Sequence, residues 1–203
     1  AQLAEFLGLD RAAITMGARE GKFAIIHSVA APGEPIVIDA NAHYSTFVAA
    51  QRAGVEVVTT QETCYPEYRV EPCDFAAAIE ECRAKFGRAP ALAVLTHVDG
   101  SYGNVTDAAA VAAVCREAGV PLLLNAAYAA GRMPVNARAL GVDFLVGSGH
   151  KSFAASGPVG VMGANGEWAE RLFRPSPTHR NKCVELLGCT ARGSNLVSFM
   201  AAF

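Results

Sequence analysis

Seven short apolar runs punctuate this chain, most of them separated by a stretch with helical spacing, and that alternation restricts the fold more than any other feature. The runs are Ala12 to Met16, Ile36 to Asp39 after Pro35, Val55 to Thr60, Ala91 to Leu95, Val120 to Leu124, Val142 to Val146 and Val159 to Met162. Leu3, Phe6 and Leu7 repeat at helical spacing before Gly8. Phe23, Ile26 and Ala30 predict the apolar face of a helix opened by Gly17-Ala18-Arg19-Glu20. Further helices are predicted from Ser45 to Ala53, ended by Gly54; from an Asp74 N-cap to Phe86-Gly87; and from an Asp107 N-cap to Gly119. Such alternation predicts an α/β fold: a mainly parallel seven-stranded sheet sandwiched by helices, with functional loops at the carboxyl ends of the strands.

Composition narrows what the loops can bind. With 203 residues, 52 % of them hydrophobic, the chain can bury a sizeable core. Charged residues make up 18 % and the formal net charge is -2, so no basic field advertises nucleic acid; RNA binding would need a local patch or another domain. No apolar run reaches the roughly 20 residues of a membrane span and no signal-peptide pattern opens the chain, so a cytoplasmic protein is expected. The start at Ala1 and the uncapped amphipathic stretch Ser194 to Phe203 predict a fragment of a longer protein. Composition changes at Pro175-Ser176-Pro177-Thr178-His179-Arg180, which divides residues 1–174 from a further, helical segment at 175–203.

Six cysteines form no C-x-x-C pair, which argues against structural zinc and a disulfide framework. Cys82, on the stripe Phe75, Ile79, Cys82 and Phe86, and Cys115 read as small core residues. Cys189 lies between Gly188 and Thr190-Ala191-Arg192-Gly193, where a thiolate would be favoured; an inert buried thiol is the alternative.

The strand ends carry the chemistry. Lys151 follows Gly147-Ser148-Gly149-His150, ahead of Gly157-Pro158-Val159-Gly160, where small neighbours let backbone approach a flat ligand and an amine among apolar strands can form a Schiff base. A surface lysine after a strand is the other interpretation. Gly17-Ala18-Arg19 turns a strand into a helix, which leaves N–H groups at the positive end of the dipole, and Arg19 adds a bidentate donor for phosphate. His43 ends a strand, where an imidazole could stack on a flat cofactor, cap a helix or stay exposed; Asn125 ends another. An anion cradle, a ring, an amide and an amine at one sheet edge match a phosphorylated aromatic aldehyde.

The strings S-G-H-K and G-P-V-G-V resemble the lysine segment of fold-type I pyridoxal-phosphate enzymes of the class V aminotransferase and cysteine desulfurase group. The strings T-M-G-A-R-E-G-K-F-A, D-A-N-A-H-Y-S-T, T-H-V-D-G-S-Y-G-N-V-T-D and N-A-A-Y-A-A-G-R-M-P-V are more similar to the O-phosphoseryl-tRNA:cysteinyl-tRNA synthase family, and the resemblance runs from Thr15 to about Gly193. It implies a pyridoxal-phosphate-binding large domain at 1–174, shortened at its amino end, and at 175–203 the start of a segment leading to a small carboxyl-terminal domain.

By that resemblance Lys151 holds pyridoxal 5'-phosphate and moves the substrate Cα proton. Ala18, Arg19, Ser148, Gly149 and His150 hold the cofactor phosphate, and His43 stacks on its ring. Asn125 stands where most fold-type I enzymes have an aspartate, so the ring nitrogen lacks a negative partner and the cofactor is a weaker electron sink. That favours β-replacement: O-phosphoseryl-tRNA(Cys) loses phosphate and sulfide or a persulfide supplies sulfur to make cysteinyl-tRNA(Cys). Cys189 is implied as a persulfide carrier, and Arg132 and Arg192 are candidates for the substrate phosphate. A homodimer and a complex with the phosphoseryl-tRNA synthetase are implied partners. A cysteine desulfurase or selenocysteine lyase acting on free cysteine, and a non-catalytic fragment or scaffold, are the alternatives.

Overall fold

A computed structural model describes residues 2–179, 182–185 and 193–203. The seven apolar runs are seven strands: β1 (Arg11–Thr15), β2 (Pro35–Ile38), β3 (Glu56–Thr59), β4 (Leu92–Thr96), β5 (Leu122–Asn125), β6 (Phe144–Ser148) and β7 (Gly160–Ala164). Between and around them run α1 (Gln2–Leu7), α2 (Ala18–Val29), α3 (Tyr44–Ala53), α4 (Pro72–Phe86), α5 (Ala108–Glu117), α6 (Ala137–Leu140), α7 (Gly166–Leu172) and α8 (Gly193–Ala202). The strands form one sheet in the order β1-β7-β6-β5-β4-β2-β3. Pairing is parallel from β3 through β2, β4 and β5 to β6, and β7 runs antiparallel to both of its neighbours, β6 and β1.

The central strands are apolar on both faces, as buried parallel strands must be. Alternate residues serve opposite layers. Val37, Leu95, Leu124 and Leu145 pack with Phe75, Ile79 and Cys82 of α4 and with Val111 and Cys115 of α5. Ile36, Ile38, Val94, Leu123, Phe144 and Val146 pack with Ile25, Ile26 and Val29 of α2 and with Ala49, Ala50 and Ala53 of α3. Burial pushes the Cys82 thiol up to about 11 and the Cys115 thiol up to about 12, consistent with inert core residues.

Two local expectations change. The buried stripe of α2 is Lys22, Ile25, Ile26 and Val29, with Phe23 half-buried at its margin. Gly21 sets this rotation: a Cβ there would lie 2.9 Å from both Met162 Cβ and Val146 Cγ1, so the helix rests on β6 and β7 along its glycine. In α4 the N-cap is Glu71, and Asp74 is the third helical residue whose carboxylate accepts from Glu71 N–H at 2.7 Å. Pro72 takes the first helical position, where its fixed φ fits and no N–H is needed.

Candidate active site

The ends of five strands, β1, β2, β4, β5 and β6, open onto one cavity of about 650 Å³, β4 through Thr96. Gly17, Ala18 and Arg19 follow β1, His43 precedes α3, Asn125 is the last residue of β5, and Ser148, His150 and Lys151 stand at or just past the end of β6; all of them line the cavity. Gly149 is buried beneath it and not on its wall. A Cβ there would come within 2.6 Å of Val159 Cγ1, so this glycine lets the lysine turn settle onto the backbone that enters β7. Cys189 and Arg192 lie outside the described residues. Arg132 is exposed and off the cavity wall, where its Nη2 donates to the Lys151 carbonyl at 3.0 Å and braces the turn from behind.

The turn between β1 and α2 is built to expose N–H groups. Gly17 adopts φ 101°, a conformation side chains resist, and no side chain caps α2. Thr15 Oγ1 donates to the Gly17 carbonyl at 2.9 Å, and Glu20 accepts from Met16 N–H at 2.5 Å, so the turn is tied from both sides. A Cβ on Gly160 would lie 2.5 Å from Gly17 C and 2.7 Å from Ala18 N; only glycine at the start of β7 admits this backbone. The free N–H groups and the helix dipole together make an anion site. The exposed Arg19 guanidinium donates to the Tyr44 hydroxyl and lies 5.1 Å from that ring's centre.

Opposite stands the lysine turn. Lys151 and Ser152 N–H donate to the Ser148 carbonyl at 3.3 and 3.0 Å, and Ser152 Oγ donates to the Ala127 carbonyl at 2.6 Å. The backbone is held, yet the amine is not: Lys151 Nζ sits 4.0 Å from the centre of the Tyr128 ring and has no hydrogen-bonding partner among the described residues. Ser148 Oγ and His150 Nδ1 are 3.4 Å apart at its base.

The wall near α3 contains a group that strand-end logic overlooks. Lys22 is 2 % exposed, and its Nζ donates to Ser45 Oγ at 2.6 Å and Thr46 Oγ1 at 3.1 Å. Desolvation, then the charges of Lys151 and Arg19, push its amine down to about 8 against the opposing pull of Asp39. Ser45 also reaches His43: its N–H donates to Nδ1 at 3.2 Å and its Oγ lies 2.8 Å from the same nitrogen. His43 is thus the N-cap of α3, the second of the roles open to it, and its ring remains on the cavity wall. Desolvation first and the Lys22, Lys151 and Arg19 charges next hold this imidazole below the usual histidine range.

Asn125 forms the floor. It is buried and its Oδ1 accepts from Ala127 N–H at 3.3 Å, which leaves Nδ2 without a partner among the described residues. Among the described residues no carboxylate lines the cavity, whereas Arg19, Lys22 and Lys151 all do. Asp39, a buried acid whose charge bears on Lys22, is pushed up to about 6 by burial while it accepts from Thr96 N–H at 2.8 Å. Uncapped helix N–H groups, three cations without a carboxylate among the lining residues, an amine with no hydrogen-bonding partner and glycine-permitted close approach fit a phosphorylated aromatic aldehyde. Among the described residues no three His, Cys, Asp or Glu side chains group to hold a metal, and no helix is long and apolar enough to cross a membrane.

Sequence reasoning missed Lys22, Tyr44 and Tyr128. The signal for Lys22 was present: it precedes Ile25, Ile26 and Val29 by three, four and seven residues, on the same helical stripe.

This sheet, with its lysine turn at one strand end and helix-terminus cradle at another, is the fold-type I architecture of pyridoxal-phosphate enzymes. A cysteine desulfurase from Thermococcus onnurineus shares it, with a TM-score of 0.75 at 19 % identity over 98 % of this chain and 53 % of that one. Within that class the chain belongs to the O-phosphoseryl-tRNA(Sec) selenium transferase family, SepSecS, whose model matches residues 27–203. O-phospho-L-seryl-tRNA:Cys-tRNA synthase 1 of Methanocella arvoryzae is 53 % identical over 201 residues, 99 % of this chain and 52 % of that protein. A SepCysS solved in complex with the SepCysE N-terminal domain gives a TM-score of 0.94 at 42 % identity, over 99 % of this chain and 54 % of that one. The chain spans about half the length of the curated relatives it matches.

Proposed function

We propose that this chain carries the cofactor site of an enzyme that converts O-phosphoseryl-tRNA(Cys) to cysteinyl-tRNA(Cys) by β-replacement, with pyridoxal 5'-phosphate as cofactor. The observation that carries this is the charge pattern of the cavity: Arg19, Lys22 and Lys151 on its walls, no carboxylate among the described residues, and an amide at its floor. A cavity of that kind favours a cofactor and a substrate that both bear phosphate. The identity with cysteinyl-tRNA synthases supports the choice within the family.

Pyridoxal phosphate, when bound, supplies a carbonyl for the amine and an electron sink that makes the substrate Cα–H acidic. The residues do the rest. Ala18 and Arg19 N–H, the Arg19 guanidinium, Ser148 and His150 hold the cofactor phosphate, and the buried Gly149 shapes the turn beneath them. His43 lies against the ring, and Asn125 offers it an amide N–H and no charge. Lys151 anchors the cofactor and takes the Cα proton, while its neighbours exclude water. Loss of phosphate breaks the Cβ–O bond, and hydrogen sulfide adds through sulfur at Cβ; an ester of phosphoserine becomes an ester of cysteine plus inorganic phosphate.

Cys189 is the proposed persulfide carrier: its outer sulfur, transferred from a persulfide donor, would add at Cβ, and a dithiol reductant would then break the resulting S–S bond, giving the cysteine ester, the Cys189 thiol and the oxidised disulfide of the reductant. Arg192 remains a candidate for the substrate phosphate. Likeness to a SepCysS bound to SepCysE supports a protein partner, and we include a homodimer, the phosphoseryl-tRNA synthetase and a cytoplasmic setting in the proposal. Incubation with cofactor, phosphoseryl-tRNA and sulfide tests it: cysteinyl-tRNA and phosphate should appear together. Bound cofactor with neither product would refute the substrate assignment, and sulfide released from free cysteine would favour a desulfurase.

A further inference from the structure

A buried ammonium beside two hydroxyls calls for an explanation. Lys22 is 2 % exposed, no carboxylate pairs with it among the described residues, and desolvation opposes its charge. A methionine would fill the same stem more cheaply, so the ammonium has local work to do.

Its partners show the direction of that work. Ser45 Oγ accepts from Lys22 Nζ at 2.6 Å, and its one proton is then free for His43 Nδ1 at 2.8 Å. Ser45 N–H addresses the same nitrogen at 3.2 Å. Two donors on Nδ1 require a lone pair there, and in the neutral ring the proton then sits on Nε2. Thr46 Oγ1 takes a second Lys22 proton at 3.1 Å, which holds the ammonium over Ser45. The charged groups that bear on Lys22 are Arg19 on its own helix, Lys151 after β6 and Asp39 after β2.

We propose that Lys22 is a positioning residue for His43: acting through Ser45, it holds the imidazole in the Nε2–H tautomer, with the ring fixed on the cavity wall. The consequence for a bound cofactor rests on the proposal that His43 lies against it. A ring bonded at one nitrogen cannot swing away, and a neutral ring adds no fourth positive charge to the cavity.

The test uses 15N NMR of histidine-labelled protein without cofactor, with His43 assigned by the loss of its signals in His43→Gln. Wild-type protein should show Nδ1 unprotonated and Nε2 protonated. Lys22→Met and Ser45→Ala should both shift the population toward Nδ1–H. Lys22→Met should move the His43 titration to higher pH further than Ser45→Ala, because it removes a charge whereas Ser45→Ala removes only a hydrogen bond to the neutral ring. Lys22→Gln, which keeps a donor to Ser45, should retain the tautomer yet share the altered titration; a purely structural role would not separate these variants.

If Lys22→Met and Ser45→Ala both leave the His43 nitrogen shifts unchanged, the proposal is overturned, whatever happens to the cofactor. Cofactor binding should weaken roughly tenfold in both, as when outer partners of functional histidines are removed. An altered tautomer with unaltered cofactor affinity would uphold the role of Lys22 and refute the placement of His43 against the cofactor.

Discussion

Lys22 and Lys151 deliver amines to one cavity from two different elements, α2 and the turn after β6, and their surroundings treat them differently. Lys22 is locked by Ser45 and Thr46 and almost wholly buried, whereas Lys151 is half-buried, its backbone held by Ser148 and its amine over the Tyr128 ring with no hydrogen-bonding partner among the described residues. One amine is fixed and the other is free to swing. A group that must bond to a ligand and then move a proton needs a held backbone and a loose tip; a group that orients a neighbour needs the reverse.

The strongest way to break this contrast is Lys151→Ala. Activity should fall at least about a thousandfold and the borohydride-reducible cofactor colour should vanish, while cofactor-free stability changes by less than about 0.5 kcal/mol. If the colour survives, the free amine is not the anchor. Next comes Gly160→Val, which strikes the seam between the walls, where a Cβ would lie 2.5 Å from Gly17 C. Its expected cost is about 3 kcal/mol in denaturant unfolding, with loss of cofactor binding. An unchanged midpoint would show that the seam tolerates displacement.

The smallest effect sharpens the contrast by sign. Burial lowers the Lys22 amine from 10.5 to about 8, so its charge disfavours the folded state below pH 8, and that penalty fades as pH rises from 8 toward 10.5. The full difference corresponds to roughly 3 kcal/mol. Lys22→Met leaves two hydroxyls without their donor, so we expect a gain of about 1 to 2 kcal/mol at pH 7 that shrinks toward pH 10. A stable variant with weakened cofactor binding would mark Lys22 as retained for the site at the expense of the fold. Destabilisation at pH 7 would show instead that its hydrogen bonds outweigh its desolvation.

The sheet was legible because each strand is a short apolar run bounded by glycine, proline or a polar cap, and burial on both faces leaves no other use for such runs. The meeting of Ala18, Arg19 and Lys151 at one cavity was legible because the strand ends of an open α/β sheet converge at one edge. Lys22 went unread although its place on the buried stripe was visible, because it reaches the cavity from a helix and not from a strand end. The direction of β7 was also hidden, since periodicity does not distinguish parallel from antiparallel. His43 shows a different limit: its capping and ring-bearing roles were treated as alternatives, and the geometry lets one residue hold both positions.

The reversed strand β7 joins Thr15 to Gly160 on one side and Ser148 to Gly160 on the other. The two walls are therefore spaced by a strand that emerges from the ribosome after both of them, and Thr15 waits 145 residues for its partner (160 − 15). A nascent chain can already contain Arg19, His43, Asn125 and Lys151 and still have nothing to set the distance between its anion cradle and its amine. The spacing of the two walls is therefore a long-range property of the chain, set when residues 160–164 pair with β1 and β6.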